Sequence, residues 1–206
     1  LPVIIIVTVQ AFLSRAHANW AAVSYVSATV LVTATLIREV SWRWLKASLA
    51  LHVAILVAIG LATAMAGSFR LPGGGDPFAR TVGWRAVAEE TAAVLAAARG
   101  AGRPFGAVLT DDRAITAELI YYMRDEPTPV FAWHEGGTRP RDHYELSRPY
   151  AKGSPEPVLL VSLRRSAGRI GESFAVAAPV VTSEVPAGAG PGRRVTFFKL
   201  EGFKGE

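Results

Sequence analysis

The stretch ASLALHVAILVAIGLATAMAG, residues 47–67, decides the architecture. It is 21 residues long, carries no Asp, Glu, Lys or Arg, and has His52 as its one polar break of note. About 20 apolar residues in a helix cross the hydrocarbon core of a bilayer. A second segment, Trp20–Ile37, is also uncharged and about one membrane thickness long. Two such segments in succession, with almost no polar face, argue against buried helices of a soluble core. Upstream, Leu1–Leu13 is too short to span alone and reads as the end of a further helix. The chain opens at Leu1, not Met, inside an apolar run, which reads as a piece of a longer protein. A cleaved signal peptide fits less well, because the run has no basic n-region and no A-x-A site.

The flanks give an orientation. Arg38-Glu39-Val40-Ser41-Trp42-Arg43-Trp44-Leu45-Lys46 lies between the two spans and holds three basic residues and two tryptophans. Basic short loops stay cytoplasmic, and tryptophans favour the membrane interface. The opposite ends carry only Arg15 and Arg70. The chain is therefore expected to cross inward, turn, and cross outward, leaving everything after Arg70 outside the cytoplasm. In a bacterium that places an inner-membrane protein with its C-terminal part in the periplasm.

Leu71–Pro77 is rich in Gly and Pro and reads as a linker after a membrane region of residues 1–70. From residue 78 the pattern changes. Trp84, Val87, Ala88, Thr91, Val94, Leu95 and Ala98 share one helical face, ended by Gly100 and Gly102. Phe105–Leu109, Pro129–Trp133 and Pro157–Leu163 read as buried strands, and Arg113–Met123 and Ser166–Phe174 as helices. Ala175–Val181 and Arg194–Leu200 are late strands joined by Pro186–Gly192, able to pair antiparallel at an edge. Alternating helix and strand predicts transmembrane α-helices followed by a soluble α/β domain, residues 78–206, with a mostly parallel sheet.

Charge supports this division. Residues 1–70 hold five Lys/Arg against one acid, and residues 71–206 hold seventeen against sixteen, out of a net +5. The excess flanks the apolar segments, and no basic stripe marks the soluble part for nucleic acid. The chain has no cysteine, which excludes disulfide scaffolds, thiolate zinc sites and cysteine nucleophiles.

His17-Ala18-Asn19-Trp20-Ala21-Ala22-Val23-Ser24-Tyr25 opens a span at its outer face. Further on, Gly83-Trp84-Arg85 precedes an Ala-rich helix, followed by Asp111-Asp112-Arg113 and then Ala117-Glu118-Leu119-Ile120-Tyr121-Tyr122. These runs resemble the C-terminal region of bacterial family 39 glycosyltransferases, GT-C-class relatives of the dolichyl-phosphate-mannose protein mannosyltransferases. Ala21 and Val23 stand where prolines are common in that family. The resemblance implies a polytopic enzyme that moves a sugar from a polyprenyl-phosphate carrier to an acceptor at the outer face. It places the catalytic acid in a first outer loop upstream, so the chain is expected to be inactive alone and to hold no catalytic residue. No cofactor is implied.

Arg15 and His17 are suited to the donor phosphate, Asn19 to a hydrogen bond, and Trp20 to packing on sugar or isoprenoid. The bland alternative is an interfacial anchor. Asp111 and Asp112 lie between strand and helix, where ligands often bind. Helix capping is the simpler role, assigned to Asp111, and no glycine-rich phosphate fingerprint accompanies them. His134, Glu135, Asp142 and His143 share a loop, but their spacing matches no metal site. His52 reads as a neutral histidine facing a neighbouring helix, and Ser162 and Ser166 lack a nucleophile-elbow context. The rival reading of the whole is a non-enzymatic, membrane-tethered binding or scaffold module.

Overall fold

The computed structural model describes residues 2–13, 22–68, 76 and 78–205. They fall into two compact units, Leu1–Ala64 and Met65–Glu206.

The first unit is helical: α1 (Pro2–Leu13), α2 (Ala22–Arg38) and α3 (Trp42–Ala64). Among the described residues, α3 is the one helix long and apolar enough to cross a membrane, and α2 is shorter. No residue of α3 is buried, and Leu49, Leu51, Leu56 and Leu61 are all at least 60% exposed. Such a surface is stable in lipid and costly in water. Trp42 and Trp44 are exposed beside Arg43 at the start of α3, as an interfacial belt requires. A tight turn joins α2 to α3, with Ser41 N donating to Leu36 O at 2.8 Å and Val40 at φ 52°.

The second unit is α4 (Trp84–Gly100), β1 (Ala107–Thr110), α5 (Arg113–Tyr122), β2 (Val130–Ala132), α6 (His143–Ser147), β3 (Val158–Ser162), α7 (Gly168–Glu172), β4 (Phe174–Val185) and β5 (Arg193–Phe203). The sheet order is β2-β1-β3-β5-β4. Val108, Leu159, Val161 and Phe197 pack under Trp84, Val87 and Leu95 of α4 and Ile115 and Leu119 of α5. Leu109, Leu160, Phe198 and Leu200 face the other way, against Tyr150, Ile170 and Phe174. Both faces of β1 and β3 are covered, which explains their unbroken apolar runs.

The expectation of a mostly parallel sheet is corrected. β2, β1 and β3 are parallel, but β5 pairs antiparallel with both β3 and β4. With 12 residues in β4 and 11 in β5, against 4 in β1 and 3 in β2, most of the pairing is antiparallel. The cause is the last connection. No helix follows β4, so the chain returns through a hairpin and β5 inserts between β3 and β4. A parallel neighbour needs a crossover of a dozen or more residues.

Candidate functional site

β1 connects through α5 to β2 on one side, while β3 lies on the other side of β1. This reversal makes the carboxyl ends of β1 and β3 a topological switch point, where open α/β sheets place ligands. A cleft of about 220 Å³ opens beside it, at the carboxyl ends of β1 and β2, lined by Thr110, Asp111, Arg113, Trp133, Arg141 and Glu145 among others.

Asp111 is the first residue past β1. Its Oδ2 accepts from Ser162 Oγ at 2.7 Å, at the end of β3, and lies 3.4 Å from Arg164 Nε. The side chain is 7% exposed. Burial pushes the Asp111 carboxyl above its ordinary range, against the opposing pull of Ser162 and Arg164. Asp111 thus ties two strand ends together and does not cap α5. That role belongs to Asp112, whose extended backbone (φ −142°, ψ 136°) lets Oδ1 accept from Ala114 N at 2.7 Å. The assignment of capping to Asp111 was one residue out.

The other wall is built around Glu145, which is 4% exposed. It accepts from Arg141 Nε at 2.7 Å and Arg141 N at 2.8 Å, and lies 3.2 Å from His134 Nδ1. Burial opposes its ionisation, but the bonds from Arg141 and His134 outweigh burial and hold the carboxyl below its ordinary range. Sequence reasoning missed Glu145. The available signal was Arg141, four residues before it. Of the four loop residues singled out in the sequence, His134 belongs to this network, and Asp142 caps α6 through Tyr144 N and Glu145 N. Glu135 pairs with Arg169 at 3.3 Å, and His143 stays near Ser147. Among the described residues no acidic, His or Cys group is arranged to hold a metal. The cleft offers hydrogen-bond donors and acceptors of both charges, with Arg141 and Glu145 paired to one another, and shows no nucleophile–base pair among the described residues.

His52 does not need a neighbouring helix. Its Nδ1 lies 2.6 Å from Ser48 O in its own helix, so that nitrogen carries a proton and donates. Ser162 is buried and donates to Asp111, so it is structural. Arg15, His17, Asn19 and Trp20 lie outside the described residues.

The second group of runs behind the family resemblance has structural roles. Gly83 has φ 86°, and a Cβ there would stand 2.7 Å from Pro186 O. Trp84 is buried, with Nε1 donating to Arg80 O at 2.9 Å.

No family model matches the chain, and no solved structure matches it. It is similar to a lipid A galacturonosyltransferase of Rhizobium johnstonii, with 32% identity over 146 residues. That match takes in 70% of this chain and 29% of the relative, so the chain spans under a third of the relative's length.

Proposed function

We propose that this chain is the C-terminal region of an integral-membrane glycosyltransferase of the GT-C class, similar to family 39. It transfers a sugar from a polyprenyl-phosphate-linked donor to an acceptor at the outer face of the bacterial inner membrane. The observation that carries this reading is the 32% identity to a galacturonosyltransferase over most of the chain. The lipid-facing surface of α3 is consistent with it. In this reading the α/β unit is periplasmic, the catalytic acid lies in an upstream outer loop, and the chain alone is inactive. The named relative makes galacturonic acid and lipid A the first sugar and acceptor to assay.

Arg15, His17, Asn19 and Trp20 form the donor-facing run. Loss of a hydrogen bond to a charged group costs about 1.5–3 kcal/mol. At about 1.4 kcal/mol per tenfold, Asn19→Ala in the intact enzyme lowers transfer roughly tenfold to hundredfold. Trp20→Ala is expected to act in the same direction. Transfer is assayed in membranes at matched protein levels. Full activity in both variants would reduce the run to an interfacial anchor.

A further inference from the structure

Two segments of the α/β unit each bring an adjacent acid and base to the same cleft. Asp112 and Arg113 open α5, and Arg141 and Asp142 immediately precede α6. All four line the cleft of about 220 Å³ at the carboxyl ends of β1 and β2. Each aspartate is an N-cap and spends one oxygen on that role. Asp112 Oδ1 accepts from Ala114 N at 2.7 Å. Asp142 Oδ1 accepts from Tyr144 N at 2.8 Å and Glu145 N at 3.1 Å. The caps hold both carboxylates in place, and neither Oδ2 is bonded to a described residue. Arg113 is exposed and makes no hydrogen bond or ion pair with a described residue. Arg141 directs Nε and Nη2 to Glu145 Oε1, which leaves Nη1 unbonded.

Charge narrows the ligand. The cleft is lined by the carboxyls of Asp111, Asp112, Asp142 and Glu145 and by Arg113 and Arg141. Arg164 stands against Asp111 and His134 against Glu145. Acids and bases nearly balance, so a free ion of either sign would meet groups of its own charge. An apolar ligand would strip water from the unbonded oxygens and guanidiniums without replacing it. A hydroxyl fits both kinds of group, because it donates to a carboxylate and accepts from a guanidinium. Bonds to charged partners are the stronger kind, and carboxylates already fixed by their caps lose little freedom in making them. The volume is below the roughly 300–1,000 Å³ of sites for drug-sized ligands, which suits a single ring.

We infer that this cleft binds one neutral sugar ring, whose hydroxyls donate to Asp112 and Asp142 and accept from Arg113 and Arg141. The site belongs to the α/β unit by itself, and no step of the proposed transfer requires it.

The test is saturation-transfer NMR on the intact chain in phosphatidylcholine nanodiscs, free of glycoside detergent. The probes are the methyl glycosides of galactose, glucose and mannose. At least one should bind saturably with Kd on the order of 1 mM, as expected for a ligand of about a dozen heavy atoms. Asp112→Ser and Asp142→Ser keep a capping oxygen and remove the second one. Each should weaken binding roughly tenfold or more with the thermal midpoint little changed. Arg113→Ala leaves both caps alone and should weaken binding in the same way, so it decides the matter if a serine variant fails to fold. Lack of saturable binding by all three glycosides would overturn the proposal. Parent-like affinity in the variants would do the same, by placing the sugar elsewhere. Tighter binding of galacturonate or glucosamine than of the neutral glycosides would show that the cleft selects charge and would contradict the assignment. None of these outcomes bears on sugar transfer, and a failed transfer assay would leave the binding result standing.

Discussion

Helices α3 and α4 are both rich in apolar residues and place them in opposite surroundings. α3 buries none, and Leu49, Leu51, Leu56 and Leu61 are exposed around it. α4 buries Trp84, Val87, Ala88, Thr91 and Leu95 along one stripe and turns Arg85 and Glu89 outward. The comparison shows that periodicity, more than apolar content, reports the solvent for which a helix is built. α3 has the length and composition of a membrane span, whereas α4 is covered by the sheet beneath it.

The largest expected effect is all-or-none. A reporter active only in the periplasm should work when fused after Gly75 and be silent after Trp42 if the proposed orientation holds, with Arg38, Arg43 and Lys46 in a cytoplasmic loop. The reverse pattern would break the orientation while leaving the two kinds of helix intact.

Side-chain truncation sharpens the comparison next. Phe197 is fully buried between β3 and the helices, so Phe197→Ala should destabilise the α/β unit by about 3–5 kcal/mol. Leu56→Ala, at a position 68% exposed on α3, should leave that unit's stability unchanged. Protease resistance of the α/β unit during a thermal ramp measures both. Equal losses would mean that the two regions form one cooperative core.

Smaller effects come from the carboxylates. Asp112→Ala removes the α5 cap and should cost about 0.5–2 kcal/mol. Asp111→Asn should leave sugar transfer nearly unchanged. Its effect should appear in the pH dependence of stability. The folded-state pKa of Asp111 is raised above the ordinary 3.8, so its stabilising contribution is complete below that value and is lost as pH rises through the folded pKa. Glu145 has the opposite sign. Its pKa is lowered from 4.5, so its contribution is present above that value and is lost as pH falls through the folded pKa. Stability curves of Asp111→Asn and Glu145→Gln should therefore deviate from the parent in opposite directions across mildly acidic pH. Deviation in the same direction would show that the two carboxylates titrate as one network.

Local pattern made much of this molecule legible. The buried face of α4, the strands β1, β2 and β3, and the membrane character of α3 follow from periods and run lengths within single segments. Sheet direction did not follow, because Arg193–Phe203 looks the same whether it lies at an edge or between β3 and β4. Insertion of β5 is decided by the hairpin, which is a tertiary fact. The site followed the same rule. Asp112 as a cap is a local matter and its neighbourhood was anticipated. Asp111 bonded to Ser162, 51 residues away, is a long-range pairing that no spacing announces, and the one local sign of Glu145 was Arg141 four residues before it.

The most direct test of the account is a donor-swap assay. Membranes containing the intact protein are given labelled galacturonic acid on a polyprenyl phosphate or, separately, on a nucleotide, with lipid A as acceptor and carrier-charging enzymes absent. The account predicts label in the lipid A fraction with the polyprenyl donor alone. Transfer from the nucleotide donor without carrier would contradict it.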